Sequence, residues 1–276
     1  VSYLLAQVRS TPSWTVASSL PSEGGRYGHT AVWDTEHARM LVFGGSDTTD
    51  LLNDLWSYDP STDAWTEVVV HGPVPCPRRD HCAVWDEANG RMLVFGGFNG
   101  SSDLADVWAF TPVSAHEGIW EEWSCMGDAP SPRHAAAAVY DPVREAMMIF
   151  GGWDSQQTSP LSVQTYYTLD GESRAWSVTH GIAPDPPYLH GRRYHVAVYD
   201  PETGQVLVTG GDNGEQFLAE TWALDPAQAT WSPRAPVPVS HNGLARHAAV
   251  ACRGLILVSG GTEQNYLGSW SEHCFR

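Results

Sequence analysis

The side chains with most chemistry to offer recur at fixed places. His29, His81 and His195 each stand three residues after an arginine and 15 before the first glycine of a Gly-Gly pair. Imidazoles at one repeated position could form a ring of metal ligands or bases, because a neutral imidazole ligates metals and accepts protons. The expectation here is structural: a residue used in every copy of a motif serves each copy's internal hydrogen bonding. Arg26, Arg78, Arg133 and Arg192 share the arginine position, and a guanidinium fork at a loop–strand junction can hold an anion. His247, Cys252, His273 and Cys274 fall near one another, but their spacing matches no compact zinc site, and Cys252 reads as a small buried hydrophobe. No stretch has the Asp-x-Asp-x-Asp-Gly spacing of a calcium loop, so neither a metal nor any other cofactor is expected. All 15 cationic side chains are arginine, which leaves no lysine for Schiff-base chemistry.

The elements that must carry these residues are short strands. Met40-Leu-Val-Phe-Gly-Gly45 has close copies ending at Gly97, Gly152, Gly211 and Gly261. An apolar run closed by two glycines reads as a buried strand leading into a turn of positive φ. Successive pairs lie 52, 55, 59 and 50 residues apart, and loops absorb the drift. Around each pair stand an Arg-His strand, an aromatic third strand (Trp56, Trp108, Tyr167, Trp222, Trp270) and a tryptophan-initiated fourth (Trp65, Trp120/Trp123, Trp176, Trp231). Four strands joined by turn residues make an antiparallel meander. The third copy has Ala136 at the histidine position, and the fifth has Leu244 at the arginine position.

Arg-x-x-His, the glycine doublet, an aromatic about a dozen residues on and a tryptophan some nine later resemble kelch repeats at their roughly 50-residue period. The resemblance covers residues 14 to 270. It implies an all-β kelch-type β-propeller, with four-stranded blades around a central channel. The repeats run 26–70, 78–126, 133–179, 192–233 and 246–276 within a single domain, 1–276. Strand counting gives five blades if Trp14–Ala17 supplies the fifth blade's outer strand. A six- or seven-bladed ring is the alternative, and Tyr3–Val8 would be its trace.

On this architecture Arg26, Arg78, Arg133 and Arg192 come to the channel mouth as candidate anion contacts. The segments after the glycine pairs emerge on one rim and differ from copy to copy. Asp47, Asp50, Phe98, Asn99, Trp153, Asp154, Asp212, Asn213, Glu263 and Tyr266 are the candidate partner contacts, with the aromatics as anchors among acids. The expected function is a non-catalytic protein-interaction module, a scaffold or adaptor. Net charge is −17, which argues against nucleic acid or an anionic membrane surface and favours a partner with a basic patch. No apolar run is long enough to span a membrane, and no signal peptide is visible in Val1–Leu20. The resemblance also admits carbohydrate-binding or sugar-modifying members, copper oxidases resembling galactose oxidase or sugar isomerases, with a small sugar as ligand. The tyrosine–cysteine and histidine set of the oxidase cannot be assembled from spacing here. The Glu-x-x-x-Asp-x-x-x-His iron site of kelch specifier proteins has no counterpart. The five cysteines, an odd number, fix neither a disulfide scaffold nor a compartment.

Overall fold

The computed structural model describes residues 3–5, 14–21, 25–184, 189–236, 243–252, 255–263 and 274–275 of the chain. All regular elements among them are strands. Four antiparallel blades follow in chain order. Blade one comprises Thr30–Asp34, Arg39–Ser46, Leu51–Asp59 and Ala64–Glu67. Blade two comprises Cys82–Asp86, Arg91–Phe98, Asp103–Ser114 and Glu117–Trp123. Blade three comprises Ala137–Asp141, Ala146–Phe150, Thr165–Asp170 and Ala175–His180. Blade four comprises Val196–Asp200, Gln205–Thr209, Thr221–Asp225 and Thr230–Arg234. Three further strands, Ala248–Cys252, Leu255–Ser259 and Cys274–Phe275, begin a fifth.

The second strands of blades two and three are apolar at consecutive residues because neighbouring blades cover both of their faces. Leu41 and Phe43 face blade two, joining Trp85, Met92, Val94, Trp108, Phe110 and Trp120. Leu93 and Phe95 point the other way, toward Met147, Ile149 and Trp176 of blade three. Met148 and Phe150 continue the pattern toward Val206, Trp222 and Trp231 of blade four. The hydrophobic core is thus a series of seams between successive blades, as in other repeat proteins. Buried aspartates close the first hairpins; Asp34, for example, accepts the backbone N–H groups of Glu36 and His37.

Outer edges are covered by the chain arriving from the preceding blade. Val69–His71 runs parallel to the fourth strand of blade two, and Met126–Gly127 parallel to that of blade three. Ile182 bridges Thr230 of blade four in the same sense. In blade one, Ser18 N–H donates to Asp63 Oδ1 and the Trp65 indole N–H donates to the Ser18 carbonyl. Each cover satisfies a strand edge that would otherwise invite pairing with another chain.

The closure expected from strand counting is not what the structure shows. Trp14–Val16 pairs with Tyr3–Leu5, Leu5 lying opposite Trp14 as Tyr58 lies opposite Trp65. The pair forms a two-stranded sheet of its own in the register of a third and a fourth strand, and among the described residues Trp14–Val16 does not pair with blade five. The third strand of blade five is Cys274–Phe275, with Phe275 opposite Val258 as Trp56 is opposite Val42. Trp270, to which that place was assigned, lies outside the described residues. A Cβ built on Gly260 would meet nothing within 4 Å, whereas one on Gly44, Gly96, Gly151 or Gly210 would collide with the next blade. Among the described residues, then, blade five does not form a seam with blade one.

Candidate functional site

Each repeat's signature residues build one end of its blade and the joint with its neighbour. The arginine Nη1 donates to the first glycine carbonyl of its own blade: Arg26 to Gly44 at 2.8 Å, Arg78 to Gly96 at 3.1 Å, Arg133 to Gly151 at 2.9 Å and Arg192 to Gly210 at 3.0 Å. In blades one, two and four an acid two residues before the third-strand tryptophan completes the site. Asp54 and Asp106 take their arginines through both oxygens at 2.6–2.7 Å, and Glu220 takes Arg192 at 2.8 Å. The same carboxylates accept the indole N–H groups of Trp56, Trp108 and Trp222. Burial works to raise the pKa values of Asp54 and Glu220, but the arginine and tryptophan bonds outweigh it and hold both below the usual carboxylate range. The guanidiniums of Arg78 and Arg192 are fully buried. In these three blades the protein's own acids occupy the arginines proposed as channel-mouth anion contacts. In blade three, Thr165 stands at the acid's place, and the Arg133 guanidinium lies 5.0 Å from the Tyr167 ring centre.

The glycine pair and the histidine explain each other. A Cβ on the first glycine would lie 3.1, 2.8 and 2.5 Å from the next blade's imidazole Cε1 at Gly44/His81, Gly151/His195 and Gly210/His247. A Cβ on the second would lie 2.9 Å from the same blade's His29 Cβ at Gly45, and 2.8 Å from His81 and His195 at Gly97 and Gly211. Both glycines also have positive φ. His81 Nε2 reaches Thr30 Oγ1 of blade one at 2.8 Å, so its hydrogen bond crosses a seam and does not stay within its own blade as expected. The remaining ring nitrogens of His81, His195 and His247 are buried without a hydrogen-bond partner among the described residues. Burial lowers the pKa to about 3 for His81, with Arg78 adding to it, and to about 4 for His247; His195 falls well below the ordinary value for the same reason. They are neutral wedges between blades.

The residue between the motif's second position and its histidine was not legible as a site because its type changes every time. Gly28, Asp80, Ala135, Tyr194 and Arg246 all have φ between 54° and 66°. Each N–H donates to the carbonyl of its predecessor: Asp80 to Gly28 and Ala135 to Asp80 at 2.7 Å, Tyr194 to Ala135 and Arg246 to Tyr194 at 2.9 Å. This chain of backbone bonds passes from blade to blade beside a cavity of about 640 Å³, whose walls also include the four motif histidines. Arg246 stacks 3.6 Å from the Tyr194 ring centre, and Arg79 pairs with Asp80 at 2.9 Å. Burial raises the Tyr194 pKa.

A family model described as the KLHDC2/KLHL20/DRC7 Kelch-repeats domain matches residues 4–140 and 113–275. The chain belongs to the kelch-repeat family. Among its curated relatives, the leucine-zipper-like transcriptional regulator 1 homolog of Drosophila melanogaster is 29% identical over 205 residues, 72% of this chain and 20% of that protein. Acyl-CoA-binding domain-containing protein 5 of Arabidopsis thaliana is 32% identical over 190 residues, 68% of this chain and 28% of that protein. Adagio-like protein 3 of Oryza sativa is 28% identical over 241 residues, 83% of this chain and 36% of that protein. The chain therefore spans roughly a third or less of these relatives. Kelch propellers are typically protein-interaction modules.

In this kelch propeller the residue after each glycine pair forms a bridge with the residue after the motif arginine: Ser46 with Tyr27, Phe98 with Arg79, Trp153 with His134 and Asp212 with Arg193. Sequence reasoning found Phe98, Trp153 and Asp212 but missed these partners, although the two sets touch. The Arg79 guanidinium lies 5.4 Å from the Phe98 ring centre, Arg193 lies 4.4 Å from that of Trp153, and Arg193 also pairs with Asp212 at 2.9 Å. His134 Nδ1 meets Asp103 Oδ1 at 2.6 Å. The other rim candidates close turns: Asp47 Oδ1 accepts the N–H groups of Thr49 and Asp50, Asn99 those of Ser101 and Ser102, Asp154 that of Gln156, and Asn213 those of Glu215 and Gln216. Asp50 accepts the Thr49 hydroxyl. Glu263 belongs to the short strand Thr262–Glu263, which pairs with Leu244–Ala245, and Tyr266 lies outside the described residues. Among the described residues no group of three or more His, Cys, Asp or Glu side chains is placed to hold a metal, and no helix is long and apolar enough to cross a membrane.

Proposed function

We propose that this chain is a protein-interaction module that takes its partner on the channel-mouth face, through the residues after each glycine pair and those after each motif arginine. What supports this is the contrast between frame and surface. The backbone bonds at these positions repeat from blade to blade, while the side chains they carry run Tyr27, Arg79, His134 and Arg193 in one set and Ser46, Phe98, Trp153 and Asp212 in the other. Variable side chains on a constant, rigid frame are what partner recognition requires. Phe98 and Trp153, each backed by a guanidinium, are the anchors. The net charge of −17 favours a partner with a basic patch. A binding role of this kind also fits the regulator named among the relatives.

The test is a partner captured on the full chain, identified by mass spectrometry and titrated against a Phe98→Ser/Trp153→Ser variant. The expected result is at least roughly tenfold weaker binding, the scale of losing one or two interface anchors, with the thermal transition retained. Unchanged affinity in a folded variant would refute this surface.

A further inference from the structure

Blade three departs from its neighbours at one buried charge. Thr165 stands two residues before Tyr167, and Tyr167 opposite Ile149 matches Trp56 opposite Val42. Thr165 is therefore the counterpart of Asp54, Asp106 and Glu220, the acids that neutralise the motif arginines elsewhere. Arg133 is as buried as its equivalents, 3% exposed, yet no carboxylate among the described residues lies within ion-pair distance of it. Its N–H groups go to neutral oxygens: the Ser131 carbonyl at 3.0 Å, the Gly151 carbonyl at 2.9 Å and Ser131 Oγ at 3.2 Å. Burying a cation without a contact ion pair is costly, and here burial draws the guanidinium's pKa down, opposed only by Tyr167, Cys82 and the Asp154 carboxylate, which lies beyond ion-pair distance.

The residue in the acid's place is a hydroxyl that a modifying enzyme can reach. Thr165 is partly exposed, begins its strand and follows a long irregular connection. Its Oγ1 lies 2.9 Å from Nδ1 of His180, its cross-strand partner. A group added to this oxygen would have an imidazole beside it and the Arg133 guanidinium on the same face of the strand.

We propose that Thr165 is a phosphorylation site whose phosphate supplies blade three with the anion that Asp54, Asp106 and Glu220 supply to the other blades. The co-reactant is a nucleoside triphosphate bound to a protein kinase. Thr165 Oγ1 forms a bond to the γ-phosphorus as the bond from that phosphorus to the β–γ bridging oxygen breaks; the nucleoside diphosphate leaves, and the hydroxyl proton passes to the kinase's base. The product carries close to two negative charges at neutral pH and three strong acceptor oxygens, which suits a guanidinium fork. Pairing with Arg133 fixes the start of the third strand and the connection that runs back to Trp153.

Two measurements decide the matter. Phosphoserine is installed at position 165 of the full chain and compared with Thr165→Ser. The urea-unfolding equilibrium constant is expected to favour the folded form by roughly tenfold or more, the scale of one charge-assisted bond. The second phosphate pKa, ordinarily about 6, is expected to fall by about one unit or more in a 31P titration. Thr165→Glu should show part of the stability gain, and Arg133→Lys should remove most of it. A phosphate that titrates at its free value and leaves stability unchanged or lower would overturn the pairing. The chain isolated from its source is then digested with trypsin and the Glu145–Arg174 peptide sequenced by mass spectrometry. Phosphate on Thr165 is expected; its absence there, or phosphate only on Ser155, Thr158 or Ser159, would overturn the modification.

Discussion

Acid should loosen the joints between blades well before it protonates their carboxylates. His81 and His247 are neutral wedges with folded pKa values of about 3 and about 4, against an ordinary 6.5. As pH falls through 6.5 the unfolded chain takes up protons that the folded chain refuses, so stability falls with pH until the folded values are reached. At pH 5 both rings are still neutral in the fold, and 1.5 units below the unfolded pKa corresponds to about 2 kcal/mol each, or about 4 kcal/mol for the pair. His195, shifted in the same direction, adds to the loss. That is a large part of the stability of an ordinary domain. The assay is urea unfolding followed by the fluorescence of the 13 tryptophans at pH 7.5, 6 and 5, on the parent chain and on His81→Gln, His247→Gln and the double variant. Each single variant should be less stable at pH 7.5 but lose about 2 kcal/mol less than the parent between pH 7.5 and 5. A parent stability that changes by less than about 1 kcal/mol over this range, or an equal slope in the double variant, would show that the wedges take up protons while folded.

Two further perturbations probe the same construction. Arg78→Met leaves the Asp106 carboxylate beside its tryptophan without a cation and should cost about 3–5 kcal/mol in urea unfolding; a loss under 1 kcal/mol would mean that the pair is dispensable. Gly97→Ala forces a Cβ at φ 99° to within 2.8 Å of His81 Cβ and 2.9 Å of the Arg79 carbonyl, and should cost about 2–4 kcal/mol. Gly260→Ala, at φ 69° with open space around it, should cost only about 1 kcal/mol; equal losses would show that the Gly260 side of blade five is packed after all.

The repeat itself was readable because buried strands must be apolar and the turn after them must be glycine, so Met40–Gly45 announces its copies by composition alone. Closure was not readable from such local rules. Trp14 follows a strand-like run just as Trp65 does, and only the pairing of Leu5 with Trp14 shows that this run is its hairpin partner. Phe275 was passed over for Trp270 because the connection after the fifth glycine pair is three residues longer than after the first, and loop length leaves no trace in hydrophobic pattern. At the candidate site, Phe98 and Trp153 stood out as aromatics in polar loops. Arg79, His134 and Arg193 did not, since one residue after a motif arginine is only a position until backbone bridges set it against the rim. The positive-φ residues were hidden for a similar reason: Asp80, Ala135, Tyr194 and Arg246 share a backbone conformation that no shared side chain reveals.

The parallel covers on the outer edges have a direction, and that direction bears on how the protein is made. Val69–His71 leaves the ribosome before the strand of blade two that it will cover, Met126–Gly127 before that of blade three, and Ile182 before Thr230. As each blade completes its last strand, the segment that seals it is already waiting at the edge. In a nascent chain the outer edges of blades two, three and four therefore need not wait bare beside neighbouring polysomes, the stage at which β-rich chains are most exposed to aggregation. With the order reversed, every finished blade would wait unsealed for the next one to be synthesised.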